Sequence, residues 1–255
     1  MSVVVNVAQT EAVLFGEGGA APAMKPGSLF VMCSTVDPHW SITLETRLAE
    51  LGLLYLDAPI SGGAARAASG EMTMMTSGAA AAYAKADPVL DAMAAKVYRL
   101  GNSAGAGSKV KIINQLLAGV HIAAAAEAMA LGLREGVDAA ALYEVITHSA
   151  GNSWMFENRM AHVLAADYTP LSAVDIFVKD LGIVLDTARD IRFPLPIAAA
   201  AGMGWRHEVV AVDVLLRLRR SARRRARSGW RRPGRSAHSP AWRWWPAGPT
   251  GCRPG

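Results

Sequence analysis

The chain has 255 residues, 52% of them apolar and 18% charged, with a formal net charge of +5. That is enough apolar material for one large domain or two ordinary ones, and it excludes a disordered chain. Two cysteines, Cys33 and Cys252, exclude a disulfide framework and suit a reducing compartment.

The opening MSVVVNVAQTEA lacks the basic start and cleavage site of a signal peptide. No run reaches the ~18 uncharged apolar residues of a membrane span. A soluble, cytoplasmic protein without a membrane partner is the expectation. The positive charge is local: residues 206–255 hold thirteen arginines and no lysine, against Glu208 and Asp213, so the preceding body is net acidic.

In chain order, SVVVNVA reads as a short buried strand, and Gln9 to Phe15 as a helix. The glycines of GEGGAA (Gly16 to Ala21) formally match a dinucleotide fingerprint. They follow a helix and lead into Pro22 and Pro26, so they read as a surface loop. A turn at Pro26-Gly27 precedes a strand from Leu29 to Cys33. Asp37-Pro38 then caps a helix through Leu44 and Leu48. GLLYLDAP, GEMTMMTSG and KVYRLG read as three further strands, with an alanine-rich helix from Ala79 to Met93 before the last. Alternation of strand and helix predicts a parallel α/β sheet.

After Leu100 the pattern is helical: Gly107 to Glu135, Ala139 to Thr147, Ser153 to Leu164, and Ser172 to Ile191. The expected organisation is an α/β unit over 1–103, an all-helical unit over 104–205, and an arginine-rich tail over 206–255 that is disordered or frame-shifted.

GAGSKVKIINQ, Gly105 to Gln115, lies at the junction. It fails as a phosphate loop, because no hydroxyl follows either lysine to hold magnesium. Lys111, Asn114 and Gln115 share one helix face by their spacing, in a helix apolar nearly all round, while Lys109 points elsewhere into solvent. Burial would lower the Lys111 amine from ~10.4 toward a range where it exchanges protons. The spacing alone serves a snorkelling surface lysine equally well. His121 and Glu127 read as structural, His148 and His162 lack ligand spacing, and no metal site is expected.

DAPISGG (Asp57 to Gly63), GAGSKVKIINQ, AEAMALG (Ala126 to Gly132) and FVKDLGIVLD (Phe177 to Asp186) stand in the order and spacing of the β-hydroxyacid dehydrogenases. From about Val3 to Ala201 the chain resembles that family, which includes the 3-hydroxyisobutyrate dehydrogenases. NQLLAGVHIAAAAEAM, SAGNSWMFENR and DYTPLSAVDIFVKDLGIVLD are most similar to its L-threonate-oxidising branch.

The resemblance implies a doubly wound, mostly parallel Rossmann sheet followed by an all-α domain of the 6-phosphogluconate dehydrogenase type. It implies NAD, or alternatively NADP, as cofactor, a small hydroxy acid as substrate, and a homodimer or homotetramer. It carries the family's proton-transferring lysine onto Lys111 and its substrate-orienting amides onto Asn114 and Gln115. The carboxylate-holding loop falls on Ser61, Gly62 and Gly63, and cofactor-side positions on Thr35 and Lys179. Read without the family, the Ser-Gly-Gly run could be an ordinary turn, Thr35 a helix-entry hydroxyl, and Lys179-Asp180 a solvated helix step.

SVVVNVAQTEAVLF matches the family's fourth strand and the helix after it. A partial Rossmann domain lacking its first half and its G-x-G-x-x-G turn is therefore expected, with Val3 to Val7 an unpaired apolar edge and weak NAD binding. The alternatives are a non-catalytic fragment of such an enzyme, or a nucleic-acid-binding protein acting through its basic tail, although nucleic acid is not the expected partner.

Overall fold

The computed structural model describes residues 1–167, 169, 173 and 175–206. The expectations placed on residues 207–255, Cys252 among them, lie outside the described residues. The α/β unit runs α1 (Val7–Phe15), a 3-10 turn (Ala21–Ala23), β1 (Leu29–Met32), α2 (Pro38–Glu50) and β2 (Leu54–Asp57). It continues with β3 (Ile60–Ser61), α3 (Gly63–Ala68), β4 (Met72–Thr76), α4 (Ala80–Met93) and β5 (Ala94–Arg99). The helical unit comprises α5 (Ala106–Glu135), α6 (Ala139–Thr147), α7 (Trp154–Ala165), α8 (Asp175–Asp190) and α9 (Pro196–Arg206).

β1 pairs in parallel with β2, and β4 with β5. An antiparallel bridge between Asp57 and Ser77 joins the two pairs, and the chain beyond β2 turns into β3, which pairs antiparallel with β4. Side chains alternate across β1. Phe30 and Met32 pack with Leu44, Leu48 and Tyr55 under α1 and α2, while Val31 and Cys33 pack with Met74, Tyr83 and Leu90 under α4. Apolar residues on both faces are what a sheet covered by helices on both sides requires. Burial pushes the Cys33 thiol up to about 12, so it is an inert core group.

The N-terminal strand is only partly formed. Ser2 bridges Met32 in parallel and exchanges two backbone hydrogen bonds with β1, at Val31 and Cys33. Val3 and Val5 are 59% and 47% exposed, so the run is an open edge rather than a buried strand. Asn6 explains why it ends: its side chain accepts from the Gln9 amide at 2.9 Å, and Gln9 Oε1 accepts from the Val5 amide at 2.7 Å. This near-reciprocal cap starts α1 at Val7, inside the expected strand.

α5 is the axis of the helical unit, with α7, α8 and α9 packed along it. Ala118 and Ile122 meet Phe177 and Leu181 of α8, and Ala125 and Met129 meet Phe156 and Met160 of α7. Its 30 residues reach a mean hydropathy of 1.7 over an 18-residue window, enough by length and composition alone to cross a membrane. The uncharged stretch itself runs only from Ile112 to Ala126, between Lys111 and Glu127, so no run reaches 18 uncharged apolar residues; a central helix of a folded domain passes the hydropathy test as well. Nor is the helix buried all round, since Ile113 and Leu117 are exposed on its outer side.

Candidate active site

The site forms where the first turns of α5 meet the carboxyl ends of β2 and β4. The amides that could have cradled a phosphate there are already engaged. Gly105 N–H and Ser108 N–H donate to Asp57 Oδ2 at 3.0 and 2.9 Å, and Gly107 N–H donates to Ser77 Oγ at 2.9 Å. Ser108 Oγ adds a 2.7 Å bond to Asp57 Oδ1. The protein's own carboxylate fills the anion position of this helix terminus.

Lys111 is buried, 6% exposed, and its amine donates to Gln115 Oε1 at 2.8 Å. Asn114 Nδ2 donates to the same oxygen at 3.1 Å, while Lys109 is exposed. Gln115 Nε2 in turn donates to Asp180 Oδ2 at 2.5 Å, and Asp180 is 1% exposed. Burial lowers the Lys111 amine from its ordinary 10.5 to about 8. Asp180 opposes the fall and Lys179 adds to it. An amine in that range can take up and release a proton near neutral pH.

Lys179, beside Asp180 on α8, donates to the Thr35 carbonyl at 2.8 Å, just beyond β1. Its amine is also 2.8 Å from Asp180 Oδ1, close enough for an ion pair but not aligned as a hydrogen bond, so that buried oxygen accepts none. Lys111, Asn114, Gln115, Lys179 and Thr35 thus form one connected group. Asp180 is the link that sequence reasoning did not name: it placed Lys179 on the cofactor side through the family resemblance and, without the family, left Lys179-Asp180 open as a solvated helix step. The signal was present: Phe177, Asp180, Leu181, Val184 and Ala188 fall at the spacing of a buried helical stripe, and all are buried.

Ser61, Gly62 and Gly63 make no direct bond with that group among the described residues. They form a ledge at β3 and the start of α3, where Ser61 pairs with Thr73 of β4. Gly62 has φ +130°, and a Cβ there would stand 2.8 Å from that of Arg66, so glycine is required. The Arg66 guanidinium lies 5.5 Å from the Trp154 ring centre, which brings the ledge to the start of α7.

A dinucleotide would need polar groups beyond the sheet's carboxyl edge and a phosphate cradle. Thr35 and Lys179 are polar groups of that kind, meeting just beyond the carboxyl end of β1. The Gly16–Ala21 turn does not fit the phosphate end. The Gly16 and Ala20 amides bond back to Ala12 and Val13 of α1, and the Gly19 amide to Gly16. The rejection of that glycine motif stands.

Residues 1–101 match the family model of the NAD binding domain of 6-phosphogluconate dehydrogenase. Residues 105–211 match that of the NAD-binding domain of NADP-dependent 3-hydroxyisobutyrate dehydrogenase. An L-threonate dehydrogenase of Cupriavidus necator is 74% identical over 201 residues, 79% of this chain and 68% of that protein. One from Escherichia coli K12 is 58% identical over 198 residues, 78% of this chain and 66% of that protein. The chain thus spans about two thirds of the length of these relatives. A crystal structure of 3-hydroxyisobutyrate dehydrogenase from Salmonella typhimurium superposes with a TM-score of 0.76 at 58% identity, covering 80% of this chain and 71% of that one. Taken with the lysine-centred junction of an α/β and a helical unit, these matches show that the chain belongs to the NAD-binding β-hydroxyacid dehydrogenases of the 3-hydroxyisobutyrate dehydrogenase type.

Proposed function

We propose that this chain is an NAD-dependent dehydrogenase that oxidises a small sugar acid of the L-threonate kind at a hydroxyl carbon, with NADP as the alternative cofactor. The observation that carries the reading is the buried Lys111 amine, held by Gln115 and depressed to about 8 at the junction of the two units. The neutral amine accepts the proton of the substrate hydroxyl. NAD, when bound, supplies the acceptor for the hydride leaving the same carbon.

Gln115 aims the amine and is itself oriented by Asp180, while Asn114 shares the Gln115 oxygen. The Ser61, Gly62 and Gly63 turn takes the substrate carboxylate on its backbone amides, where glycine permits close approach. Thr35 and Lys179 hold the nicotinamide end. The working units are residues 1–103 and 104–205, acting in a cytoplasmic homodimer or homotetramer.

The test is spectrophotometric turnover of L-threonate with NAD, repeated with Lys111→Ala. The variant should lose activity by ~10²–10⁴-fold, the usual range for a proton-transferring side chain, with an unchanged circular dichroism spectrum. Equal rates for the two proteins would remove Lys111 from the reaction.

A further inference from the structure

Asp57 is completely buried, and its carboxylate receives four hydrogen bonds: from the Gly105 and Ser108 amides, from Ser108 Oγ, and from Ser77 Oγ at 3.2 Å. Its backbone is fixed independently, through the paired bonds between Asp57 and Ser77 that join β2 to the end of β4. One side chain therefore ties the last residue of β2 to the first turn of α5. Ser77 Oγ reinforces the tie by accepting from the Gly107 amide.

Lys111 follows Ser108 by three residues and Gly107 by four, and all three are buried on the same face of α5. Rotation or axial slip of the first turn would therefore carry the Lys111 amine away from Gln115 and Asp180. Asp57 has no exposed surface from which to reach a substrate, so any part it plays is exerted through the helix.

We propose that Asp57 is a positioning residue for Lys111, its carboxylate fixing the rotation and height of α5 so that the lysine amine is held in its buried site. The inference rests on the dehydrogenase reading for its catalytic consequence, but its structural content stands apart from that reading. The charged groups facing Lys111 are Asp180 and Lys179, both on α8, and a substitution at position 57 leaves them in place. A change in the lysine's titration would therefore report its displacement.

The experiment follows the Lys111 side chain by NMR in the ¹³C-lysine-labelled full chain, its signal assigned by loss in Lys111→Met. Wild type, Asp57→Asn and Ser108→Ala are compared. Asp57→Asn keeps the size of the side chain, but its amide group cannot accept bonds on both sides. The lysine should then titrate at least about one pH unit higher, toward its solvated value. Ser108→Ala removes a single hydroxyl bond and should give a smaller shift in the same direction, so it decides the matter if the first variant does not fold.

In turnover, Asp57→Asn should lower kcat on the order of 10–100-fold, the effect of a misplaced catalytic group, with KM for the hydroxy acid changed less. A Lys111 titration that stays at its wild-type value in the folded variants, even with lowered melting temperature, would overturn the proposal. Because the titration needs no substrate, wild-type failure to oxidise L-threonate would sink the proposed function without deciding this question.

Discussion

At the scale of single residues the site turns on one amine in a place that disfavours its charge. The unfolded chain holds the Lys111 proton up to about 10.5, whereas the folded protein gives it up above about 8. Between those values the unfolded state binds more protons, so this lysine makes stability rise with pH; below about 8 its burial cost is borne in full. The interval is worth ~3 kcal/mol. Lys111→Met should therefore be more stable relative to wild type at neutral pH than near pH 10.5, by a difference of that order. Urea unfolding of both proteins at the two pH values measures it. Asp180 acts in the opposite sense, holding the amine up. Asp180→Asn should accordingly move the limb of kcat/KM that rises through about pH 8 to lower pH. A limb that stays put would remove Asp180 from the electrostatics of the site.

Among the elements, α5 is constrained most where it starts. A Cβ on Gly107 would lie 2.4 Å from the Met75 carbonyl oxygen and 3.2 Å from Asp57 Oδ2, and neither atom belongs to a flexible chain end. Gly107→Ala should cost ~1–3 kcal/mol, as overpacking does. Gly182→Ala on α8 meets nothing within 4 Å and should gain roughly 0.5–1 kcal/mol from reduced chain entropy. Thermal melts of the two variants should move in opposite directions.

These packing details mark the limit of what the sequence discloses. Periodicity and caps placed β1, α2, β2, α4 and α5 within a few residues, because each is long enough to repeat its pattern or is flanked by Pro, Gly or Asp. β3 and α3 escaped because a two-residue strand and six mostly alanine helical residues carry no period. The strand over Val3 to Val7 was overextended because β-branched composition outweighed the Asn6–Gln9 cap. For Lys111 the apolar neighbours left burial and a snorkelling surface lysine equally open, and the family resemblance chose between them; Gln115 was legible as its neighbour through spacing. The tertiary partners Asp57, Ser77 and Asp180 lie 65 or fewer residues from α5 in sequence, yet no local pattern ties them to it.

Considered whole, the molecule is two units joined by hydrogen bonds at the start of α5 and along α8. The Ala104 amide donates to Glu45 on α2, and the Thr187 hydroxyl of α8 lies 3.4 Å from the Asp37 carboxylate that caps α2. Lys179 reaches the Thr35 carbonyl, and Asp57 grips the start of α5. This seam of hydrogen bonds, buried at the start of α5 and part-buried along α8, must break if the two units are to separate. The two units should therefore unfold as one. Amides of β4 and of α5 should share a single opening free energy in hydrogen exchange, and calorimetry should give one transition for them. Lys179→Ala combined with Thr187→Ala removes the α8 half of the seam and leaves Asp57 intact. In that variant α8 should lose protection before α5 does. Earlier loss at α5 would place the main attachment on α8, and would take from the helix start its part in holding the two units together.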